Sequence, residues 1–403
     1  MSEPAPKRIR LFTPDREGTF LRRPNRFILE AGDESGVIRA HCPNPGRMEE
    51  YLLPGSRFVF ESAEGTGRKT AWSLAAVRYR GMYIPLHSAR ANRAAAELIL
   101  PALYPSSSIR PEATEGGSRF DFLVTSGPRR TWVEVKACTL VEHGTAMFPD
   151  APTQRGLRHI EHLTRLSDRP DTKAMLLFVV MNPEAKRFVP NIHTDPAFSL
   201  ALAGAEKMVN VRAVSLYTDG NGFSSISNMD IPVETAPVSA ARDDTGVYLL
   251  VLELPQARSA VVGALGRIDF RPGWYVYAGS GKKNLSARVA RHLRTGKALH
   301  WHVDYLVAQA GKKKAYPIRT HGDLECRLAG DIAGIADASV PGFGCSDCRC
   351  PSHLFYFRKN PPEQSAFQDV LLRYRHEISI GEYFRSVVSE DRGGGPARPA
   401  GGQ

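Results

Sequence analysis

Long apolar runs are missing from this chain of 403 residues. The longest is Ala174-Met175-Leu176-Leu177-Phe178-Val179-Val180. Seven residues cannot cross a bilayer, so the run reads as a buried strand and no membrane partner is expected. The N-terminal MSEPAPKRIRLFTP is positively charged but lacks an apolar segment, which argues against a secretory leader and makes a cytoplasmic location the expectation. Cysteine is scarce: Cys42, Cys138, Cys326, Cys345, Cys348 and Cys350, three of them within six positions. For a chain of this size that excludes a disulfide framework and leaves reduced thiols with one local cluster. There is no internal repeat. There is also no Gly-x-Ser-x-Gly elbow, which disfavours a small-molecule hydrolase. Acidic residues are outnumbered, 42 against 53 Lys and Arg, for a net charge of +11.

The positive excess is spread along the chain and leans towards its second part, where residues 240–403 hold 23 basic and 16 acidic side chains. Basic domains often meet phosphate backbones, although a solvated basic surface explains charge alone equally well. The length calls for two or three domains. Residues 17–90 read as short strands, Arg26–Glu30, Val37–His41, Arg57–Glu61 and Trp72–Tyr79, punctuated by Ala31-Gly32-Asp33, Pro43-Asn44-Pro45-Gly46, Pro54-Gly55 and Gly65-Thr66-Gly67. That spacing suggests a small barrel of the oligonucleotide-binding (OB) type. Asn92 is placed to cap a helix through Leu100. Strands follow at Arg119–Val124 and Thr131–Ala137, then a helix from Gln154 to Leu166 with Leu157, Ile160, Leu163 and Leu166 as its stripe, then strands at Ala174–Val180 and Val211–Tyr217. Residues 218–244, rich in Gly, Ser, Asn, Pro and Asp, read as a linker. A second α/β unit runs from Thr245 to about Arg358, and a helix Gln364–Arg375 precedes a tail, EDRGGGPARPAGGQ, of disordered composition.

Two stretches carry chemistry. In Ser118-Arg119-Phe120-Asp121-Phe122, alternation buries Phe120 and Phe122 on one face and leaves Asp121 on the other. In Trp132-Val133-Glu134-Val135-Lys136, Val133 and Val135 bury while Glu134 and Lys136 share the opposite face. Neighbouring strands would bring two carboxylates and an ammonium to one sheet edge. Hard oxygen ligands of this kind suit Mg²⁺ or Mn²⁺ and phosphodiester hydrolysis, with Lys136 stabilising developing charge. Standing alone, an exposed Glu–Lys pair with an unrelated Asp explains the pattern better. His159 and His162, three apart on a helix, read as packed or surface residues, and His41 and Cys42 as buried-strand residues.

The surrounding strings change that balance. AHCPNPGRMEEYLLPG (Ala40–Gly55), Asn92-Arg93 with Glu97, SRFDF, WVEVKACTL (Trp132–Leu140) and FPDAPTQRGLRHIEHL (Phe148–Leu163) resemble the sugar fermentation stimulation protein A (SfsA) family over roughly residues 17–217. The resemblance implies an OB-type barrel, residues 1–88, and a restriction-endonuclease-like PD-(D/E)xK core, residues 89–217. It implies DNA or RNA as partner and Asp121, Glu134 and Lys136 as the catalytic motif. Glu97 is then a third carboxylate at a divalent metal, and Arg47, Arg93 and Arg155 are phosphate contacts. Gln154 stands where the family has Glu, and Ala137-Cys138 where Asn-Val is usual.

The second unit offers Gly246-Val247-Tyr248, Tyr277-Ala278-Gly279 and a helix over Asn284–Arg294 on which Arg288 and His292 share a face and Arg291 extends the basic side as an expected nucleic-acid contact. The order GVY, YAG, then L-x-x-R-x-x-x-H resembles the GIY-YIG endonuclease superfamily. HWHVDYL (His300–Leu306), Glu325-Cys326 and VPGFGCSDCRCPSHLFYF (Val340–Phe357) resemble one of its uncharacterised subgroups, over roughly 245–358. By that resemblance Tyr248 and Tyr277 flank a phosphate, Arg288 stabilises it and Glu325 holds a divalent metal. The long spacer between the half-motifs and Ala278 depart from the pattern. Cys345, Cys348, Cys350 and His353 form a candidate Zn²⁺ set, with a turn of buried thiols as the rival.

The expected architecture is therefore α/β and multi-domain: OB-like barrel, PD-(D/E)xK core, linker at 218–244, GIY-YIG-like domain at 245–358, and a helical and disordered tail at 359–403. The expected function is metal-dependent hydrolysis of nucleic acid. The rival is a DNA-binding regulator of sugar metabolism on vestigial nuclease folds. Each module is expected to fold alone.

Overall fold

The computed structural model describes residues 6–63, 69–294, 296 and 298–385. It resolves into two compact units. One runs through Val238 and includes residues 362–368, and the other comprises 239–361 and the chain from Asp369 onward.

The first unit opens with a barrel. Its strands lie in the order Gly36–His41, Ile28–Asp33, Arg16–Asn25, Arg57–Ser62, Trp72–Tyr79 and Met82–Pro85. Parallel pairing of Ala40 with Trp72 and of His41 with Ser73 closes five of them into a ring, which removes the exposed edges an open sheet would leave. Sequence alternation does not reveal Arg16–Asn25 (REGTFLRRPN), because much of this strand faces water and its charges are met across the sheet: Arg16 on Asp33 and Arg22 on Glu30. The Gly32-Asp33 break belongs to a strand. The Gly65-Thr66-Gly67 break lies outside the described residues.

The chain then builds a seven-stranded mixed sheet in the order Ile9–Arg10, Phe223–Ile231, Val209–Thr218, Thr172–Val180, Arg129–Cys138, Ser118–Ser126, Ser108–Glu115. The centre is parallel, Arg129–Cys138 beside Thr172–Val180 beside Val209–Thr218. Both faces of that centre are covered, which is why Ala174–Val180 reads as one apolar run. Met175, Leu177 and Val179 join a cluster continuous with the barrel interior. Leu176, Phe178 and Val180 face the other way, against helices Gln154–Ser167 and Pro196–Ala205. Barrel and sheet are thus one folded body, pinned further by Tyr51, whose hydroxyl donates to the carbonyl of Thr139 (2.6 Å).

Two expectations need correction. Residues 218–244 are not a linker in the described chain: Phe223–Ile231 is a strand paired antiparallel with Val209–Thr218. The Asp219-Gly220-Asn221-Gly222 run is the hairpin turn, in which Asp219 Oδ1 accepts the N–H groups of Asn221 (3.0 Å) and Phe223 (2.9 Å). A polar strand next to the sheet edge looked like loop. Phe120 and Phe122, in turn, do not share a face: the first packs with the helices and the second with the barrel side. Pairing with Arg129–Cys138 stops at Phe122–Val133, and the next free N–H, that of Val135, is taken by the Asp121 carboxylate instead of a backbone carbonyl (2.8 Å).

Helix Gln154–Ser167 is started by Thr153, whose side chain accepts the N–H of Gly156 (3.0 Å). Losing such a cap costs about 0.5–2 kcal/mol. Thr153→Ala is therefore expected to lower the stability of the first unit by that amount, read as a lower denaturant midpoint with an unchanged slope, and an unaltered midpoint would show the cap to be idle.

The second unit is built on a five-stranded antiparallel sheet, Lys312–Arg319, Gly246–Leu254, Gly273–Gly281, Leu354–Phe357 and Ala338–Ser339. Helices Leu285–Leu293, His302–Val307 and Glu325–Ala333 accompany it. The helix expected at Gln364–Arg375 is Ser365–Arg373, continued as a π turn over Tyr374–Ile378. The tail from residue 386 lies outside the described residues. Among the described residues no helix is long and apolar enough to cross a membrane.

Candidate functional site

In the first unit, the loop Asn44-Pro45-Gly46, the helix beginning at Arg90, the strand Arg129–Cys138 and the start of helix Gln154–Ser167 enclose a cleft of about 380 Å³. Asp121, Glu134 and Lys136 all line it, as does Arg155. Asp121 is fixed by two donors: Asn92 Nδ2 to Oδ1 (2.6 Å) and the Val135 N–H to Oδ2 (2.8 Å). Burial and the neighbouring Glu134 charge nevertheless push its carboxyl above the ordinary value. Burial alone would raise Glu134 too, but His159 and Lys136 outweigh it and hold that carboxyl below its usual range. Both partners reach the same oxygen. Lys136 Nζ lies 2.5 Å from Oε1 and His159 Nδ1 also bonds it, leaving Oε2 buried with no hydrogen-bond partner.

Two residues behind this geometry escaped sequence reading. Asn92, expected as a helix cap, spends its amide on Asp121, and the helix starts earlier, at Arg90. His159, expected merely to pack, orients Glu134, with Arg155 Nε 3.5 Å from its other ring nitrogen. A third, Asp150, is half-buried in the cleft wall, with its Oδ2 buried and also without a hydrogen-bond partner. Burial raises its carboxyl above the ordinary value. Gly46 makes room for it, since a Cβ there would sit 2.0 Å from Asp150 Oδ2.

Glu97 is a correction. It is not among the residues lining the cleft: it lies in the π-helical turn Ala95–Ile99 and pairs with Arg93 four positions earlier (2.7 Å), both side chains being exposed. Arg93 is committed to that pair and to the carbonyl of Arg10, so neither forms part of the cleft. Arg47 is exposed on the loop at the cleft mouth, where Arg23 holds the loop by donating to the carbonyls of Asn44, Gly46 and Arg47.

The second unit brings its own candidate residues together, around two largely buried tyrosines. Tyr248 and Tyr277 lie on adjacent strands with ring centroids 6.3 Å apart. Gly279, opposite Tyr248, leaves space for its ring, since a Cβ would come within 2.5 Å of the hydroxyl. Burial pushes both phenols above their ordinary value; Arg288 opposes that shift, while Glu325 and Asp304 add to it. Arg288 donates to the Ser280 carbonyl (2.7 Å) and lies 4.8 Å from the Trp301 ring centroid. Tyr248 Oη is 2.9 Å from His292 Nε2, and His292 Nδ1 is 3.3 Å from Asp304 Oδ1. This Tyr–His–Asp chain was not anticipated, although all three residues lie in the quoted motifs. Arg291 is corrected: its guanidinium is held by Asp304 Oδ2 (2.9 Å) and the Ala298 carbonyl, away from a phosphate-binding role. Glu325 is held low because His353, Ser280 and Arg288 outweigh its burial, and it raises His353 in turn to about 9.

Of the expected set, Cys348, Cys350 and His353 converge and Cys345 does not. Cys326 stands in the place of Cys345, and the ligand atoms of Cys326, Cys348, Cys350 and His353 lie within 4.8 Å of one another.

Three domain models match the chain: the SfsA N-terminal OB domain over residues 21–86, the sugar fermentation stimulation protein RE domain over 86–222, and the domain of unknown function DUF123 over 247–376. The sugar fermentation stimulation protein homolog of Thermotoga petrophila is 42% identical over 225 residues, which are 55% of this chain and 98% of that protein. The chain belongs to the SfsA family. The Moorella thermoacetica homolog is 42% identical over 195 residues, 47% of this chain and 84% of that protein. The solved structure of Pyrococcus furiosus SfsA in complex with Ca²⁺ superposes with a TM-score of 0.50 at 30% identity, covering 56% of this chain and 99% of that one. This SfsA-family chain therefore carries the family's OB barrel and RE domain in its first unit, followed by a GIY-YIG-like DUF123 domain.

Proposed function

We propose that this SfsA-family protein is a divalent-cation-dependent nuclease acting on DNA or RNA, with its main site at Asp121, Glu134 and Lys136. The observation that carries the reading is the shared cleft of these three groups, in which Glu134 keeps one buried oxygen without a hydrogen-bond partner. A buried carboxylate oxygen left unpaired is costly unless a cation or water meets it, so the donor set fits a hard divalent ion. A Ca²⁺ complex of a relative agrees with that fit. Bound Mg²⁺ or Mn²⁺ supplies charge neutralisation at the phosphate and acidifies water. The chain's own residues do the rest. Asp121 and Glu134 would hold the ion, His159 and Asn92 keep those carboxylates oriented, and Lys136 and Arg155 would present positive charge to phosphate oxygens. In the second unit Tyr248, Tyr277, Arg288 and Glu325 form an independent phosphodiesterase constellation, in which His292 receives the Tyr248 proton and Asp304 stabilises the resulting imidazolium.

The testing experiment incubates the full-length protein with end-labelled single- and double-stranded DNA and RNA, with Mg²⁺, with Mn²⁺ and with chelator. Cation-dependent cleavage is expected. Binding without cleavage under every cation would replace the nuclease with the regulator reading, which the relatives' names favour. Affinity is expected to fall steeply with salt, each phosphate contact on duplex DNA adding about −0.9 to the slope of log affinity against log salt. A flat salt dependence would point away from nucleic acid altogether.

A further inference from the structure

Cys326 occupies the first turn of helix Glu325–Ala333, Cys348 and Cys350 lie in the loop that follows Gly344, and His353 directly precedes strand Leu354–Phe357. A helix and a short strand, Ala338–Ser339, intervene between Cys326 and the loop, yet the four ligand atoms form one group no wider than 4.8 Å. Tetrahedral zinc with metal–sulfur bonds of about 2.3 Å sets its sulfurs roughly 3.8 Å apart, so the group needs to contract by about one ångström at its widest to close on an ion. His353 Nε2 already points into the group, 3.5 Å from Cys348 Sγ. Its other nitrogen, Nδ1, is buried on the side away from the cysteines, 3.4 Å from Glu325 Oε1, close enough for an ion pair although no hydrogen bond forms between them. A metal-bound histidine backed by a carboxylate on its far nitrogen is the usual way such a ligand is oriented. All six cysteines of the chain are free thiols.

We propose that Cys326, Cys348, Cys350 and His353 bind a structural Zn²⁺ that ties the 345–353 loop to the start of helix Glu325–Ala333, with Cys345 outside the coordination sphere. The neck of the loop is tied by the fully buried Phe343, by backbone bonds from Gly342 to Pro351 and from His353 to Phe343, and by Ser352, whose hydroxyl donates to the Val340 carbonyl (2.6 Å); the metal would tie the stretch between them, Cys348 and Cys350, to helix Glu325–Ala333. The ion closes all four positions with protein ligands, three thiolates and one imidazole, the pattern of structural rather than catalytic zinc. Its position matters to the neighbouring tyrosines. The same loop presses Gly344 against Tyr277, where a Cβ would come within 2.7 Å of the ring, and the same helix turn carries Glu325. Zinc at this point fixes both the Gly344 contact on Tyr277 and the helix turn that carries Glu325. The site stands whether or not either unit cleaves nucleic acid.

The test measures metal, not activity. Full-length protein is purified without a histidine tag, reduced, and its metal content determined. One tightly held zinc per chain is expected. Cobalt substitution is expected to give thiolate-to-metal charge-transfer absorption together with the intense visible bands of a tetrahedral ion. Cys345→Ser should keep both signals and Cys326→Ser should lose them. Cys326→His, which restores a ligand, should recover the tetrahedral bands with charge transfer reduced by about one third, two thiolates remaining of three. A wild-type protein without metal, a cobalt spectrum lacking charge transfer, or loss of metal in Cys345→Ser with retention in Cys326→Ser would each overturn the proposal. A folded, metal-free Cys326→His protein would also do so, which covers the case in which Cys326→Ser does not fold.

Discussion

Asp121→Asn, made in a Tyr248→Phe background so that only the first site reports, is expected to abolish cation-dependent cleavage while leaving fold and nucleic-acid affinity in place. The substitution preserves size. The introduced amide can still accept the Val135 N–H through its single oxygen, and its nitrogen then faces Asn92, whose side chain needs only to turn over to present its own oxygen. The lost charge was a buried one beside Glu134, and both burial and that neighbour disfavour it. Thermal stability in the absence of metal is therefore expected to hold or rise slightly. What disappears is one of two anionic ligands. Outer-shell partners of metals typically cost about 10–100-fold when removed, and a charged ligand should cost more than that range. The check is a single-turnover cleavage rate at saturating Mn²⁺, with Mn²⁺ affinity by calorimetry and substrate affinity by anisotropy. Cleavage at the parent's rate would remove Asp121 from the chemistry and leave the binding-only reading of the first unit.

The elements of that site were legible because a buried parallel strand announces itself. Trp132, Val133 and Val135 around Glu134 and Lys136, and the unbroken run Ala174–Val180, can be little else than strands at the centre of a covered sheet. The partners that tune the site were not legible. Asn92 carries a standard capping signature, and nothing local says that its amide is claimed by a strand 29 residues away. His159 sits among the apolar positions of its helix, so the packed reading was sound, and only the tertiary register turns that packed ring onto Glu134. Glu97 shows the reverse: its helix is adjacent to the site, but the helix widens into a π turn over Ala95–Ile99, and Glu97 pairs with exposed Arg93 instead.

Short-range polar patterns misled in the same way. Asp219-Gly220-Asn221-Gly222 is turn chemistry, and turn chemistry serves a hairpin as well as a linker. What separated the two was the strand after it, whose Ser, Asn and Asp residues gave no period-two signal. At the cysteine cluster, proximity in sequence favoured Cys345, and the fold substituted Cys326 from a distant helix. Spacing within a loop cannot report a ligand that arrives from another element.

The second site makes the other large prediction, tested in an Asp121→Asn background. There Tyr248→Phe is expected to cut the remaining cleavage by about 10²–10⁴-fold, the usual contribution of a positioned proton-transfer group. Burial holds the phenol well above its ordinary value, so it does not act as a free phenolate near neutral pH. Its proton needs an acceptor, and His292 Nε2 stands 2.9 Å away with Asp304 behind it. Phenylalanine keeps the ring in the space that Gly279 provides and removes only the hydroxyl. His292 then loses that partner in a buried place, at a cost of about 1–3 kcal/mol in stability, so a lowered melting temperature alone would say nothing about chemistry. Non-additivity separates the two roles. If Tyr248 and His292 act as one proton path, His292→Asn lowers the rate on its own, and the double variant is no slower than the slower single one. If the hydroxyl only packs, each substitution lowers stability, the two effects combine in unfolding measurements, and the cleavage rate at a temperature where all variants are folded stays with the parent. That outcome would retire the Tyr248–His292–Asp304 chain as a catalytic device, and an Asp121→Asn parent with no cleavage at all would leave the first unit as the sole nuclease.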